Sequence, residues 1–216
     1  MKKEEFNNEW FSEGKAVVAD WLFDIGAIKF GAFRLKLHEK NPDAPLSPIY
    51  VDLRLLRSFP AAMDDVVNLF NKMSDKITAF DCYADVPTAA TPIVAVLSNK
   101  TRIPMITPRE AKTHGGGASI DGVFNRGQIV LVIDDLVTKA DSKLEAIRTL
   151  EAGGLKVHDV LVLVDREQGG PEQLQKAGYN LHVAFKLSEL LQYYLDQGKI
   201  DKTKYDEVIA YQAATK

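Results

Sequence analysis

The sequence is short of several things, and each shortage closes off a class of function. One cysteine, Cys82, stands in 216 residues, so no internal disulfide can form. It sits in the apolar segment "ITAFDCYADV" and reads as a small core residue, not a nucleophile. Four histidines (His38, His114, His158 and His182) are scattered without metal-ligand spacing. His158 and His182 fall on or beside an expected strand and read as structural or exposed. No run approaches the roughly 18 apolar residues of a membrane span. The opening "MKKEEFNNEWFSEG" lacks the apolar core of a secretory signal. Charge of neither sign dominates: the formal balance is -3, without the basic excess of a nucleic-acid binder. Internal repeats and low-complexity linkers are missing too. A single domain over 1–216 in the cytoplasm is the expectation.

What is present is an alternation of periods. Val17, Val18, Trp21, Leu22 and Ile25 share one helical face. "FRLKL" alternates apolar with basic, as a half-exposed strand does. "HEKNPDAPLSP" reads as a polar loop and "IYVDL" as a strand. "PAAMDDVVNLFNKM" predicts a helix with Pro60 near its start and Met63, Val66, Val67 and Phe70 on its buried side. Strand and helix then alternate: "ITAFDCYADV", "TPIVAVLSN", "IPMI", "IVLVI", "SKLEAIRTLEAGG", "VHDVLVLV", "PEQLQKAG" and "LHVAFKL". Two helices, "SELLQYYLDQG" and "DKTKYDEVIAYQ", close the chain. Such alternation implies an α/β fold with a mostly parallel central sheet flanked by helices.

Two segments stand apart. "TPREAKTHGGGASIDGVFNRG" has no apolar period, carries Arg109, Lys112 and His114, and contains Gly115, Gly116 and Gly117. A loop this long in a compact domain is functional or disordered as a rule. The other is "IVLVIDDLVTKADSKLEA", where Ile129 to Ile133 run into Asp134 and Asp135, followed by Thr138 and Ser142. Ligands of open α/β sheets bind beyond the carboxyl ends of strands, and a helix start there favours phosphate. Thr138 and Ser142 add hydroxyls and Lys139 adds charge. Carboxylates beside a phosphate need another task, such as accepting from vicinal hydroxyls or orienting water on Mg²⁺. A sugar phosphate meets both demands. The plainer alternative is that Asp134 and Asp135 cap a turn.

This motif resembles that of the type I phosphoribosyltransferases, in which a strand, two acidic residues and a Thr/Ser/Gly turn hold the 5′-phosphate of phosphoribosyl pyrophosphate (PRPP). "GAIKFGAFRLK", "SPIYVDLR", "IPMITPREAKTHG", "GGLKVHDVLVLVDREQGG" and "LHVAFKLSELLQYYLDQGKI" are similar, in order and spacing, to orotate phosphoribosyltransferases. The likeness spans roughly Gly26 to Ile200, leaving no room within these residues for the decarboxylase barrel that some members carry. The resemblance implies the type I fold, with a small hood and a long flexible catalytic loop, here about 108–122. It implies transfer of phosphoribosyl from PRPP to orotate with Mg²⁺, giving orotidine 5′-monophosphate and pyrophosphate. A homodimer that shares the loop across subunits is also implied. On this likeness Lys112 and His114 match the loop's catalytic lysine and histidine, and Arg109 stands where a lysine is usual. Asp134, Asp135, Thr138, Lys139, Ser142 and Lys36 would bind PRPP; Arg166, Thr138 and Tyr50 would bind orotate. No metal ligand is assigned beyond Mg²⁺ carried on PRPP near Asp134 and Asp135.

The sequence departs from the family pattern on the phosphate side. Ala140 replaces a turn glycine and Asp141 adds a negative charge. Pro108 replaces the loop's usual leading arginine, Asp85 and Ala89 change the segment that holds pyrophosphate, and 39–46 is an insertion. A second reading therefore gives the same fold a non-catalytic or regulatory role in binding PRPP or a nucleotide.

Overall fold

The computed structural model describes residues 13–35, 37–77, 79–109 and 119–215. The chain enters through α1 (Glu13–Asp24), β1 (Ile28–Phe33), the single turn α2 (Leu37–Lys40) and β2 (Ser47–Val51). It continues through a 3₁₀ turn at Leu53–Ser58, α3 (Pro60–Ser74), β3 (Cys82–Asp85), α4 (Thr91–Thr101), β4 (Met105–Pro108) and β5 (Ile120–Asp121). Then follow β6 (Ile129–Val137), α5 (Asp141–Ala152), β7 (Lys156–Asp165), α6 (Gly170–Lys176), β8 (Asn180–Lys186), α7 (Leu187–Asp196) and α8 (Lys202–Ala214).

Six strands form one sheet in the order β5-β4-β3-β6-β7-β8, parallel except for β5. β6 and β7 are interior strands with helices on both faces, which explains why their sequences are near-continuous apolar runs and do not alternate. One apolar layer joins the odd residues Leu131 and Ile133 to α1, α3, α4 and α7. The other joins Val130 and Val132 to Ala146, Ile147 and Leu150 of α5. β1 and β2 pair antiparallel as a separate two-stranded hood, against which α8 packs. Cys82 is buried in the second layer, its thiol pKa pushed up to about 11 chiefly by burial and then by the charge of Asp81. His182 Nε2 lies 2.7 Å from Asp159 Oδ1, a structural pair, and His158 is exposed. No helix among the described residues is long and apolar enough to cross a membrane.

Three boundaries differ from expectation. The first strand is Ile28–Phe33, not "FRLKL". The carbonyl of Leu35 accepts the N–H of His38 (2.9 Å), and the Leu35 N–H donates to His38 Nδ1 (2.8 Å), so this backbone is spent on a turn. His38 Nε2 reaches the Ala44 carbonyl (3.2 Å), which makes the buried histidine a peg for the 39–46 insertion. The second difference is β6, which runs past Ile133 through both aspartates to Val137. Its neighbour β7 offers partners all the way: Asp134 faces Val162, and Val137 faces Asp165. The third is the long loop. Pro108 pairs with Ile120 and Thr107 with Asp121, so its base is a ribbon, not loop from 108 to 122.

Candidate active site

The carboxyl end of β6 leads into the turn Thr138–Ala140 and then α5. Ala140 is the cap residue of α5 and no side chain caps that end, so the first-turn N–H groups face outward with the helix's partial positive charge. The turn is held from the α6 side. The Gly170 N–H donates to the Thr138 carbonyl (3.1 Å) and Gln173 Oε1 accepts the Ala140 N–H (2.7 Å). Gly170 has to be glycine: a Cβ there would lie 2.3 Å from Val137 Cγ2. Thr138 is half-buried, while Lys139, Asp141 and Ser142 are exposed. Ala140 is fully buried against the α5 layer, so its methyl packs inward. Asp141, at the first position of α5, complements the helix dipole while standing where a phosphate would approach.

The two aspartates have unequal surroundings. Successive residues of a strand point to opposite faces, and Asp134 falls on the α5 side. There it forms a buried ion pair with Lys143, the side chains 6% and 4% exposed. Lys143 lies on the same helical stripe as Ala146, Ile147 and Leu150. Asp135 accepts the Leu136 N–H (2.8 Å) but has no such counter-ion among the described residues. Its pKa is raised to about 7, first by burial and next by the charge of Asp134. One carboxylate is thus compensated inside the protein, and the other changes charge near neutrality.

Arg166 follows β7, and its N–H donates to the Val137 carbonyl (2.9 Å), tying it to the phosphate turn. The guanidinium is largely buried, which lowers its pKa; the phenols of Tyr211 and Tyr50 partly offset this. Its Nε has no hydrogen-bond partner among the described residues. Tyr50, on β2, stacks at a tilt on Phe33 (5.6 Å between centroids), and its hydroxyl accepts from Arg54 (3.2 Å). A cavity of about 350 Å³ is lined by Asp165, Glu167 and Gln168, chain neighbours of Arg166, and by Lys186, but not by Arg166 itself. The pKa of Asp165 is raised, chiefly by burial.

A second cavity of about 430 Å³ lies on the other side of the α5 start, lined by Val86, Pro87, Thr88, Pro108, Arg109, Ser142 and Glu145. Arg109 Nε is paired with Asp121 across the ribbon (2.9 Å) and its N–H donates to the Ser119 carbonyl (2.7 Å). Asp85 is buried and accepts from the hydroxyls of Thr91 and Thr107, the latter at 2.5 Å. Its carboxylate therefore braces β3 against β4 and α4, so this departure from the family pattern has a structural use.

The fold brings Asp134, Asp135, Thr138, Lys139, Ser142 and Arg166 to one end of β6 and β7. Tyr50 comes from the hood, and Arg109 sits at the mouth of the second cavity. Lys36, Lys112, His114 and Gly115 to Gly117 lie outside the described residues. Sequence reasoning missed Lys143, Gln173, Gln212 and Tyr211. A lysine on an apolar helical stripe was the available signal for Lys143. The others had none.

No family model matches the chain. The uridine 5′-monophosphate synthase of Bos taurus is 37% identical over 189 residues, covering 87% of this chain and 38% of that protein. The orotate phosphoribosyltransferase of Pyrobaculum aerophilum is 35% identical over 192 residues, covering 88% of this chain and 95% of that enzyme. The solved UMP synthase of Leishmania donovani superposes with a TM-score of 0.82 at 34% identity, over 94% of this chain and 43% of that one. The chain therefore spans less than half of the two synthases, but nearly all of the archaeal enzyme. A helix-flanked parallel sheet, an acidic doublet above an open helix start, and likeness over almost the full length of a single-activity relative lead to one conclusion: the chain belongs to the orotate phosphoribosyltransferase family.

Proposed function

We propose that this chain transfers the phosphoribosyl group of PRPP to orotate, releasing pyrophosphate and forming orotidine 5′-monophosphate. The observation that carries the reading is the hydrogen bond from the Arg166 N–H to the Val137 carbonyl. It sets the backbone of Arg166, whose guanidinium on this reading takes the carboxylate, next to the turn that receives the sugar phosphate. The 5′-phosphate lies on the first-turn N–H groups of α5, with the hydroxyls of Thr138 and Ser142 and the charge of Lys139 beside it. The ribose diol donates to Asp135 and to the free lone pairs of Asp134. Arg166 takes the orotate carboxylate through two parallel donors, and Thr138 and Tyr50 border the base. The pyrophosphate occupies the second cavity. As the bond from C1 to pyrophosphate breaks, N1 of orotate bonds to C1, and positive charge builds on the sugar while negative charge builds on the leaving group. Arg109 stands at that cavity, and Lys112 and His114, by family resemblance, meet the leaving group and exclude water. Lys36, by the same resemblance, joins them.

Mg²⁺ fits this donor set. The described residues hold no cluster of three metal-ligating side chains, and Mg²⁺ commonly needs only a carboxylate or two besides substrate phosphates and water. Asp135 would supply the carboxylate, and the metal when bound would supply charge neutralisation for the leaving pyrophosphate. The same reading extends to a cytoplasmic homodimer in which each loop closes over the neighbouring site. The test is loss of orotate absorbance with purified protein, PRPP and Mg²⁺. Turnover is expected, and none at high protein concentration would reject the reading.

A further inference from the structure

The C-terminal helix brings to the base side a tyrosine that the reaction, as set out above, leaves without a task. α8 packs on β2 of the hood and is fastened to the loop that carries Arg166. Gln212 Nε2 donates to the Arg166 carbonyl (3.2 Å), Gln168 Nε2 donates to Thr215 Oγ1 (3.4 Å), and Thr215 Oγ1 donates to the Tyr211 carbonyl (2.9 Å). These bonds fix the backbone around Tyr211 relative to the arginine. The hydroxyl of Tyr211 is buried with no hydrogen-bond partner among the described residues, and so is the Nε of Arg166. Native proteins rarely leave such donors unsatisfied. Among the charges that act on the Arg166 guanidinium the Tyr211 phenol is the largest, so the two unpartnered groups are neighbours.

We propose that Tyr211 is a recognition residue for the acceptor base, its hydroxyl donating to the carboxylate held by Arg166. The inference rests on the orotate reading and deepens it. A carboxylate has about four lone-pair sites. A guanidinium fork fills the outer two, and a phenol arriving from another element fills one more. The phenol adds no charge, so its contribution is discrimination. A base without the carboxylate leaves the tyrosine and the arginine buried and unpaired, and a site built around hydrogen bonds rejects such an analogue strongly. The grip from α8 also makes base recognition depend on a helix far in sequence from the PRPP turn.

The test is Tyr211→Phe, which keeps the ring and its packing. Orotate and PRPP are varied separately in steady-state kinetics, with thermal midpoints and equilibrium binding of orotate measured alongside. The KM for orotate should rise about tenfold, as for one lost hydrogen bond to a charged group. The KM for PRPP and the thermal midpoint should stay at their wild-type values. Tenfold weaker orotate binding by Y211F supports the inference whatever the turnover. Wild-type protein that consumes orotate, with a Y211F variant of unchanged KM, overturns the inference alone. Wild-type protein that neither binds nor consumes orotate overturns the inference together with the reading beneath it.

Discussion

The two sides of the site differ in how far their polar groups are satisfied before any ligand arrives. On the phosphate side, Asp134 is paired with Lys143, the Ala140 N–H is taken by Gln173, and the Thr138 carbonyl is taken by Gly170. On the base side, Arg166 Nε and the Tyr211 hydroxyl are buried without partners among the described residues. Apart from the open first turn of α5 and the uncompensated Asp135, the phosphate side is thus part of the folded core, because its contacts hold β6, α5 and α6 together. The base side holds donors in place at a cost, and an acceptor from outside relieves that cost. Substitutions on the first side should therefore be read mainly in stability, and substitutions on the second mainly in binding.

The largest test of that contrast is Lys143→Met. Methionine keeps the apolar stem on the α5 stripe and leaves Asp134 buried without its counter-charge. Removing one partner of a buried pair typically costs about 3–5 kcal/mol, so the denaturant midpoint should fall markedly at neutral pH with an unchanged slope. Combining K143M with Asp134→Asn should recover most of the loss, because the charge that Lys143 compensated is then gone as well. A midpoint equal to that of the wild type would remove the phosphate side from the folding core. Next in size is Arg166→Gln. It should raise the KM for orotate by about 100-fold, equivalent to about 2.7 kcal/mol, while leaving the unfolding midpoint nearly unmoved. An R166Q variant as unstable as K143M would erase the distinction between the two sides.

The sheet could be read from the chain because β6 and β7 are buried on both faces and say so in their apolar runs. The doublet could be read because charge at the end of such a run is conspicuous, and Arg166 because "DREQGG" resembles a family signature. Other features were hidden for physical reasons. Apolar patterning ends a strand at its first charge, whereas the backbone ladder continues as long as a neighbour offers partners. β6 therefore extends to Val137 while its sequence suggested Ile133. "FRLKL" alternated convincingly, yet Leu35 is claimed by His38 for a turn. Lys143 was legible only as a lysine on an apolar stripe, since its partner lies on another element. Gln212 and Arg166 are 46 positions apart, and nothing local in either segment announces that they touch. Asp85 looked like a misplaced charge, and only the fold reveals the two threonine hydroxyls it accepts from.

The smallest expected effect sharpens the comparison within the phosphate side, where Asp135 is the member left uncompensated. Its pKa in the folded chain is about 7, above the ordinary carboxylate value, with burial the main cause and Asp134 the second. The fold therefore holds this proton more tightly than the unfolded chain does, and its contribution to stability declines as pH rises from about 4 to about 7 and then levels. Ligand affinity should move the other way. The ribose diol donates to the charged form, so binding expels the proton, and affinity for ribose 5-phosphate should rise about tenfold or more between roughly pH 5.5 and 7.5. Part of any such rise belongs to the ligand, whose phosphate loses its second proton near about pH 6. Asp135→Asn separates the two: it should bind more weakly at pH 7.5 and keep only the ligand's share of the slope. Should calorimetry at several pH values give wild type and D135N the same slope, the ribose would not be resting on Asp135, and the diol would have to be satisfied by Asp134, already engaged with Lys143, or by groups outside the doublet.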